Sequence, residues 1–316
     1  MAYSKTAKYD PEAARAKVQE ARERLDAGVA ALTSSERWTT YLKFQSRFHQ
    51  YSFGNVMLIL SQKKDATQVA GFLTWKGMGR SVKKGEHGIV ILAPRYFYRS
   101  KDSQQVLRKG DDAPKEDRVK VTYFVTAHVW DVSQTDGAPI PEIASKIEGD
   151  APVEMLERLQ ALARSLGYAV IEEDHGAAHG FMDPSGKRIA TAPGLSPLHR
   201  LKTTIHEIAH IPELLGKSES FSNDRALEEV AVESVAFIVS DYLGLDTADY
   251  SFDYVASWGG RSGDALKAIQ EAGRRIQKAA EKIIEAIEGR SPGSIEISVP
   301  ETSPSEPSEV PLPLGV

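Results

Sequence analysis

Residues 203–211 read TTIHEIAHI, and residues 227–245 read LEEVAVESVAFIVSDYLGL. The first stretch carries HExxH. His206 and His210 are four apart, so both imidazoles leave one face of a helix and can share a metal. Glu207 stands beside them, where its carboxylate can take a proton from a metal-bound water. Such a pair also arises by chance as two solvated histidines, so the second stretch decides. Between Val230 and Val239 the charged residue is Glu233, and a helix this apolar must be buried nearly all round. Buried carboxylates need partners. Zinc supplies one, and the free N–H of a zinc-bound histidine supplies another. On this reading Glu229 is the third ligand and Glu233 orients a histidine. Glu228 is the solvent-facing neighbour. The plainer alternative is two carboxylates at a helix start, favoured by the helix dipole and paired with Arg or Lys.

Outward from this pair, the chain has 316 residues, 41% hydrophobic and 26% charged, enough for about two domains. No apolar run reaches the roughly 18 residues a membrane span needs, and the N-terminus has no secretory pattern. Cysteine is absent, which excludes disulfides, thiolate zinc sites and cysteine nucleophiles. A cytoplasmic location without membrane contact is expected. The net charge of −5 hides an uneven split. Residues 37–130 hold 17 basic against 7 acidic side chains, and residues 131–316 hold 16 against 31. Two parts with different partners are expected.

Apolar periodicity predicts helices over 11–33 and from Ser35 through Phe48, then a short one in NVMLILSQ. Residues 68–74, 88–98 and 119–132 read as strands, with a charged loop between the last two. Residues 133–152 hold Gly and several Pro with little periodicity. Beyond them, helices are predicted at 153–166, from Ser196, at 224–244 and at 263–288, with short strands at 168–173, 179–183 and 187–191. The Pro/Ser-rich end reads as a disordered tail. The expected fold class is α+β, divided as a domain over 1–135, a linker over 136–152, a metal domain over 153–289 and a tail over 290–316.

The basic segment holds 14 of the 25 aromatics. Basic charge with stacking faces suits single-stranded nucleic acid, because every base has a π face and every nucleotide a phosphate. The densest stretch is GFLTWKGMGRSVKKGEHGIVILAP (71–94). Trp75, Lys76, Arg80, Lys83 and Lys84 are its candidate DNA-binding residues, with Tyr51 and Phe53 before it. The alternative makes Trp75 and Phe72 core and KKGEHG a solvated hairpin turn. The stretch lacks GxxxxGK[ST], so nucleotide hydrolysis is not supported. His87, His175, His179 and His199 read as surface residues, and His128 as a satisfied core residue of a strand.

With both halves read, the chain resembles the ArdC family of antirestriction proteins. YSFGNVMLIL (51–60), DATQVAGFLTWKGMGRSVKKGEHGIVILAP (65–94) and VWDVSQTDG (129–137) resemble its N-terminal single-stranded-DNA-binding domain. HGFMDPSGKRIATAPGLSPLHRLKTTIHEIAH (179–210), EEVAVESVAFIV (228–239) and YSFDYVASW (250–258) resemble its zincin-like metallopeptidase domain, related to ImmA/IrrE peptidases. The resemblance implies a plasmid- or phage-borne protein, carried in conjugation, that protects incoming DNA from host restriction. It also implies Zn2+ held by His206, His210 and Glu229, catalysis by Glu207, and a protein or peptide substrate. A strand among 179–191 could hold an extended peptide, and Tyr250 or Tyr254 could stabilise an oxyanion. Pro212 departs from the family pattern and is expected to end or kink the active-site helix. Two rival readings stand beside the peptidase. One is a DNA-shielding protein with a structural or vestigial metal site; the other is a DNA-activated protease acting on DNA-bound proteins.

Overall fold

The computed structural model describes residues 10–102, 105–107, 114–139, 151–174, 176, 178–216, 225–248, 250, 252 and 265–290. Its first elements are α1 (Pro11–Ala30), α2 (Ser35–Arg47), α3 (Phe53–Gln62), β1 (Val69–Ala70), α4 (Phe72–Gly77), β2 (Arg80–Val82) and β3 (Ile89–Ser100). Next come β4 (Val106–Leu107), β5 (Arg118–Asp131), β6 (Thr135–Gly137), α5 (Ala151–Ser165), β7 (Ala169–Glu172), β8 (Gly180–Asp183) and β9 (Arg188–Thr191). The last are α6 (Pro197–Ala209), α7 (Pro212–Leu215), α8 (Arg225–Tyr242) and α9 (Ala265–Ile287). The architecture is α+β, as the periodicities require. Among the described residues no helix is long and apolar enough to cross a membrane.

Packing divides the chain into two units, with a boundary inside α1. One is built on Val69–Ala138. Its sheet runs β1-β5-β3-β4, and β3 and β5 pair antiparallel from Ile89↔Val129 to Ser100↔Arg118. Ile89, Ile91, Ala93 and Val129 are buried on one face. The predicted strand over 68–74 is cut short after Ala70, because Gly71 opens α4. That single turn buries Trp75 completely and lets its indole N–H donate to the Trp130 carbonyl at 2.8 Å. A separate ribbon pairs β2 with β6.

The other unit joins Asp26–Gln68 to residues from Pro139 to Ile297. This division by packing differs from the sequence division at residue 135. The reason is α8, whose residues Val230–Val239 are buried except for the half-buried Glu233. It needs neighbours on every side, and α2, α6 and α9 supply them. Buried Trp38 of α2 donates its indole N–H to Ser234 Oγ at 2.9 Å, and Ser46 Oγ donates to the Asp241 carboxylate. Gln277 of α9 donates to the His49 carbonyl at 3.2 Å. A three-stranded sheet, β7-β9-β8, completes the unit, with β7 parallel and β8 antiparallel to β9. Most of the 136–152 linker and of the tail lies outside the described residues.

Two outcomes test this packing. A Cβ on Gly273 would stand 2.3 Å from the ring of Phe53. Gly273→Ala is therefore expected to destabilise the unit by roughly 1–3 kcal/mol in urea unfolding, through overpacking. His49 is buried against Tyr242, and its Nε2 lacks a hydrogen-bond partner among the described residues. Burial, helped by the charge of Arg290 and opposed by the Ser46 carbonyl, lowers its pKa to about 4. Unfolded chain takes up this proton near pH 6.5, which the folded state refuses until about 4. Stability is thus expected to fall by up to about 3 kcal/mol as pH drops through that window. Replacing His49 with Phe should remove much of that acid loss, as read from urea midpoints at pH 7 and pH 4.5.

Candidate metal centre

Helix α6 starts on a cap written in its sequence. Ser196 Oγ accepts from the His199 N–H at 3.3 Å, and Pro197 takes the first helical position. The helix ends at Ala209 with His210 as its C-cap, and Pro212 begins α7. Pro212 thus ends the helix just beyond the motif. His206 and His210 face one side, with ring centroids 5.1 Å apart.

Across from them, α8 presents Glu229. One carboxylate oxygen lies 3.2 Å from His206 Nε2 and the other 3.6 Å from His210 Nε2. One ligand atom from each of the three residues falls within 4.8 Å of the others, so the group can hold a metal ion. The three side chains are 20–42% exposed, which leaves an approach from solvent. Two imidazoles and a carboxylate are a donor set that suits zinc with an open fourth position. Glu228 does not join the group, and its charge acts instead on Arg275.

Glu207 is more enclosed than these three candidate ligands, at 7% exposure. Burial, reinforced by Glu229 and opposed by His206, pushes its carboxyl up to about 7. Burial and the charge of Glu229 raise the Glu233 carboxyl as well, against the pull of His206. Burial disfavours protonation of His206, but the hydrogen bond to Glu229 and the charges of Glu207, Glu229 and Glu233 outweigh it, so its pKa is raised. The carboxylates on two helices therefore share one charge balance with the histidines.

Strand β8 closes one side of this group. A Cβ on Gly180 would come within 2.9 Å of a Glu207 carboxylate oxygen and 2.6 Å of Thr203 Cγ2. Only a glycine lets the β8 backbone lie so close to Glu207. In the sequence the one signal of this role at Gly180 is a glycine near the start of a strand pattern. His179 precedes it and packs against His199 at 4.6 Å between ring centroids. Both are exposed. Tyr250 is not brought to the ligands; its hydroxyl lies 3.2 Å from Ser240 Oγ and its ring packs on Phe237. His175 and Tyr254 lie outside the described residues.

Two DNA-binding expectations, Trp75 and Phe53, need correction. Trp75 is 0% and Phe53 1% exposed, so neither ring can stack on a base. Trp75 is held by the Trp130 carbonyl, and Phe53 packs against Tyr41 and α9. Burial also raises the pKa of the Tyr51 hydroxyl to about 12. The Arg80 guanidinium is engaged by Thr135 and Ala138 within the β2–β6 ribbon. Lys83 donates to the Ser133 carbonyl at 2.9 Å. Lys76 and Lys84 are exposed.

Fold and site together define an α+β protein in which an HExxH helix faces a carboxylate-bearing helix. Residues 17–130 match the family model for the N-terminal domain of anti-restriction factor ArdC. Over that segment the chain is similar to the ArdC family of antirestriction proteins. The matched segment includes α2 and α3, which pack with α8 and α9. The metal-free crystal structure of antirestriction ArdC protein from plasmid R388 matches with a TM-score of 0.53 at 20% identity, covering 86% of this chain and 98% of that one. The Mn(II)-bound structure of that protein is similar at TM-score 0.49 and 20% identity, over 85% and 97%. An uncharacterized protein of Bacillus anthracis, pXO2-81, is 26% identical over 91% of this chain. The chain spans about half, 54%, of that relative's length.

If Glu229 completes the centre, Glu229→Ala should lose zinc to a competing chelator far sooner than Glu228→Ala. Glu233→Ala should bind zinc about 10- to 100-fold more weakly if it orients a ligand histidine. Full zinc retention in Glu229→Ala would remove it from the ligand set.

Proposed function

We propose that this chain is an antirestriction protein that binds single-stranded DNA and hydrolyses peptide bonds with a divalent metal, zinc by its donor set. The observation that carries the hydrolytic part is the meeting of four groups. His206, His210 and Glu229 converge within ligand distance, and the enclosed Glu207 lies against the edge strand β8.

His206, His210 and Glu229 would hold the ion. When bound, it would supply Lewis acidity and a water of lowered pKa. Glu207 would take the proton from that water, and its surroundings suit the task. Burial makes the carboxyl a stronger base than an exposed one, with a pKa of about 7. It could then carry the proton to the leaving amine. Among the described residues, strand β8 has β9 on one side and ends the sheet on the other. An extended substrate pairing along that edge would run past Glu207, held mainly by backbone hydrogen bonds. Gly180 keeps this approach clear.

The DNA-binding part rests on the excess of basic residues between 37 and 130 and on the rings left exposed among them, Phe72, Tyr96, Tyr98 and Phe124. The chain has no cysteine, which fits a reducing cytoplasm, where entering DNA meets restriction enzymes.

The test compares wild type with Glu207→Ala in one series. Zinc content and affinity for a fluorescent oligo-dT should be unchanged. Cleavage of fluorogenic casein, with and without oligo-dT, should fall at least about 100-fold, because a general base contributes roughly 10²–10⁴. Cleavage at the wild-type rate would overturn the role of Glu207. Protection of an incoming plasmid in a restricting host is read in parallel. Its loss in Glu207→Ala supports proteolytic protection, and its full retention supports shielding of DNA without proteolysis.

A further inference from the structure

The long hairpin of β3 and β5 has two unlike faces. Its odd-numbered face is buried at Ile89, Ile91 and Ala93. Its even-numbered face is open, and exposure alternates along both strands. Tyr96 is 58%, Phe124 45% and Tyr98 37% exposed on that face. Register sets them side by side: Pro94 pairs with Phe124, Tyr96 with Thr122, and Tyr98 with Lys120. The Tyr96 and Tyr98 rings are 5.8 Å apart, edge to face. The ammonium of Lys120 lies 4.2 Å over the Tyr96 ring. Arg118 follows two residues along the same face.

Single exposed aromatics are ordinary on a protein surface. Three neighbouring rings beside two cations are not a scatter. The strands hold one carboxylate between them, Asp131, and it is buried. A cationic, aromatic face without exposed acid complements a polyanion that carries flat rings.

We infer that this open sheet face, through Tyr96, Tyr98 and Phe124 with Lys120 and Arg118, is where the chain binds single-stranded DNA. The inference rests on the proposed DNA-binding function and moves its site away from the glycine-rich segment, where Trp75 is buried. Spacing selects the single strand. Side chains on one face of a strand recur about every 6.7 Å. Nucleotides in a duplex strand rise about 3.4 Å, with their base faces closed by neighbours. Residue positions at twice that interval suit a splayed, extended strand, and rings carried on a sheet face cannot enter a stacked duplex. Stacking reads no hydrogen-bond pattern, so sequence preference is weak. The cations meet phosphates between the stacked bases.

The experiment measures binding of a fluorescent 20-nucleotide dT, and of a duplex of equal length, to the full chain by anisotropy. Tyr96→Ala and Phe124→Ala should each weaken oligo-dT binding roughly 5- to 100-fold, the usual effect of removing one stacking ring. Tyr96→Phe should keep wild-type affinity, which separates the ring from the hydroxyl. Lys120→Ala should reduce the slope of log K against log salt by about 0.7, one phosphate contact to a single strand. Circular dichroism melting of each variant guards against unfolding. Wild-type affinity in Tyr96→Ala and Phe124→Ala, with oligo-dT still bound by wild type, overturns the site and leaves the function standing. Failure of wild type to bind oligo-dT overturns both. Duplex binding equal to single-strand binding overturns the stacking geometry.

Discussion

Helix α8 cannot face water along most of its length, and much of the second unit answers that constraint. Val230, Val232, Val235, Phe237 and Val239 lie on different sides of it, and all are buried. Three helices therefore have to meet it. Helix α6 brings HExxH, α9 covers another side, and α2 arrives from near the start of the chain. Hydrophobic burial is non-directional, so polar contacts fix the arrangement. Trp38 to Ser234 and Ser46 to Asp241 tie α2 to α8 at two separate heights. Buried polar groups of this kind cost free energy unless paired, so they specify one register.

The candidate centre stands where that apolar helix carries its acids. Glu229 and Glu233 leave α8 on the side facing α6 and its histidines. Three carboxyl groups lie close to two imidazoles: Glu207, Glu229 and Glu233. Their mutual repulsion and burial raise the carboxyl pKa values of Glu207 and Glu233. They also favour positive charge on His206. A divalent cation would relieve the repulsion between these acids, which is a physical reason for the cluster to stand beside so apolar a helix.

The aromatic residues fall into two populations with opposite roles. Trp38, Tyr41, Phe53 and Trp75 are fully enclosed and hold helices or a turn in place. Tyr96, Tyr98 and Phe124 stand on an open sheet face. Composition counts both populations together, which is why the basic, aromatic segment looked like one surface. The enclosed population is itself divided between the packing units: Trp38, Tyr41 and Phe53 go with the later helices, and Trp75 with the sheet.

The sequence by itself determined the local chemistry of the centre. His206, Glu207 and His210 are bound to one helix by spacing alone, because four residues make about one turn. The apolar run of α8 singled out Glu229, since a carboxylate entering such a helix needs a partner. Ser196 and Pro197 marked the helix start, and Pro212 its end. The strand character of β5 was also legible, from its β-branched and aromatic residues. Only the tertiary structure decided what each aromatic ring touches, because a ring's burial depends on partners distant in sequence. Trp75 is enclosed by a turn at Gly71 and a carbonyl 55 residues away, and neither is written in its own neighbourhood. The same holds for Gly180, whose lack of a side chain matters only once Glu207 and Thr203 pack against it. Membership of α2 and α3 in the second unit was likewise a tertiary outcome, since their apolar faces could have met any core of matching shape. Local periodicity says which face must be buried, and only the folded chain says against what.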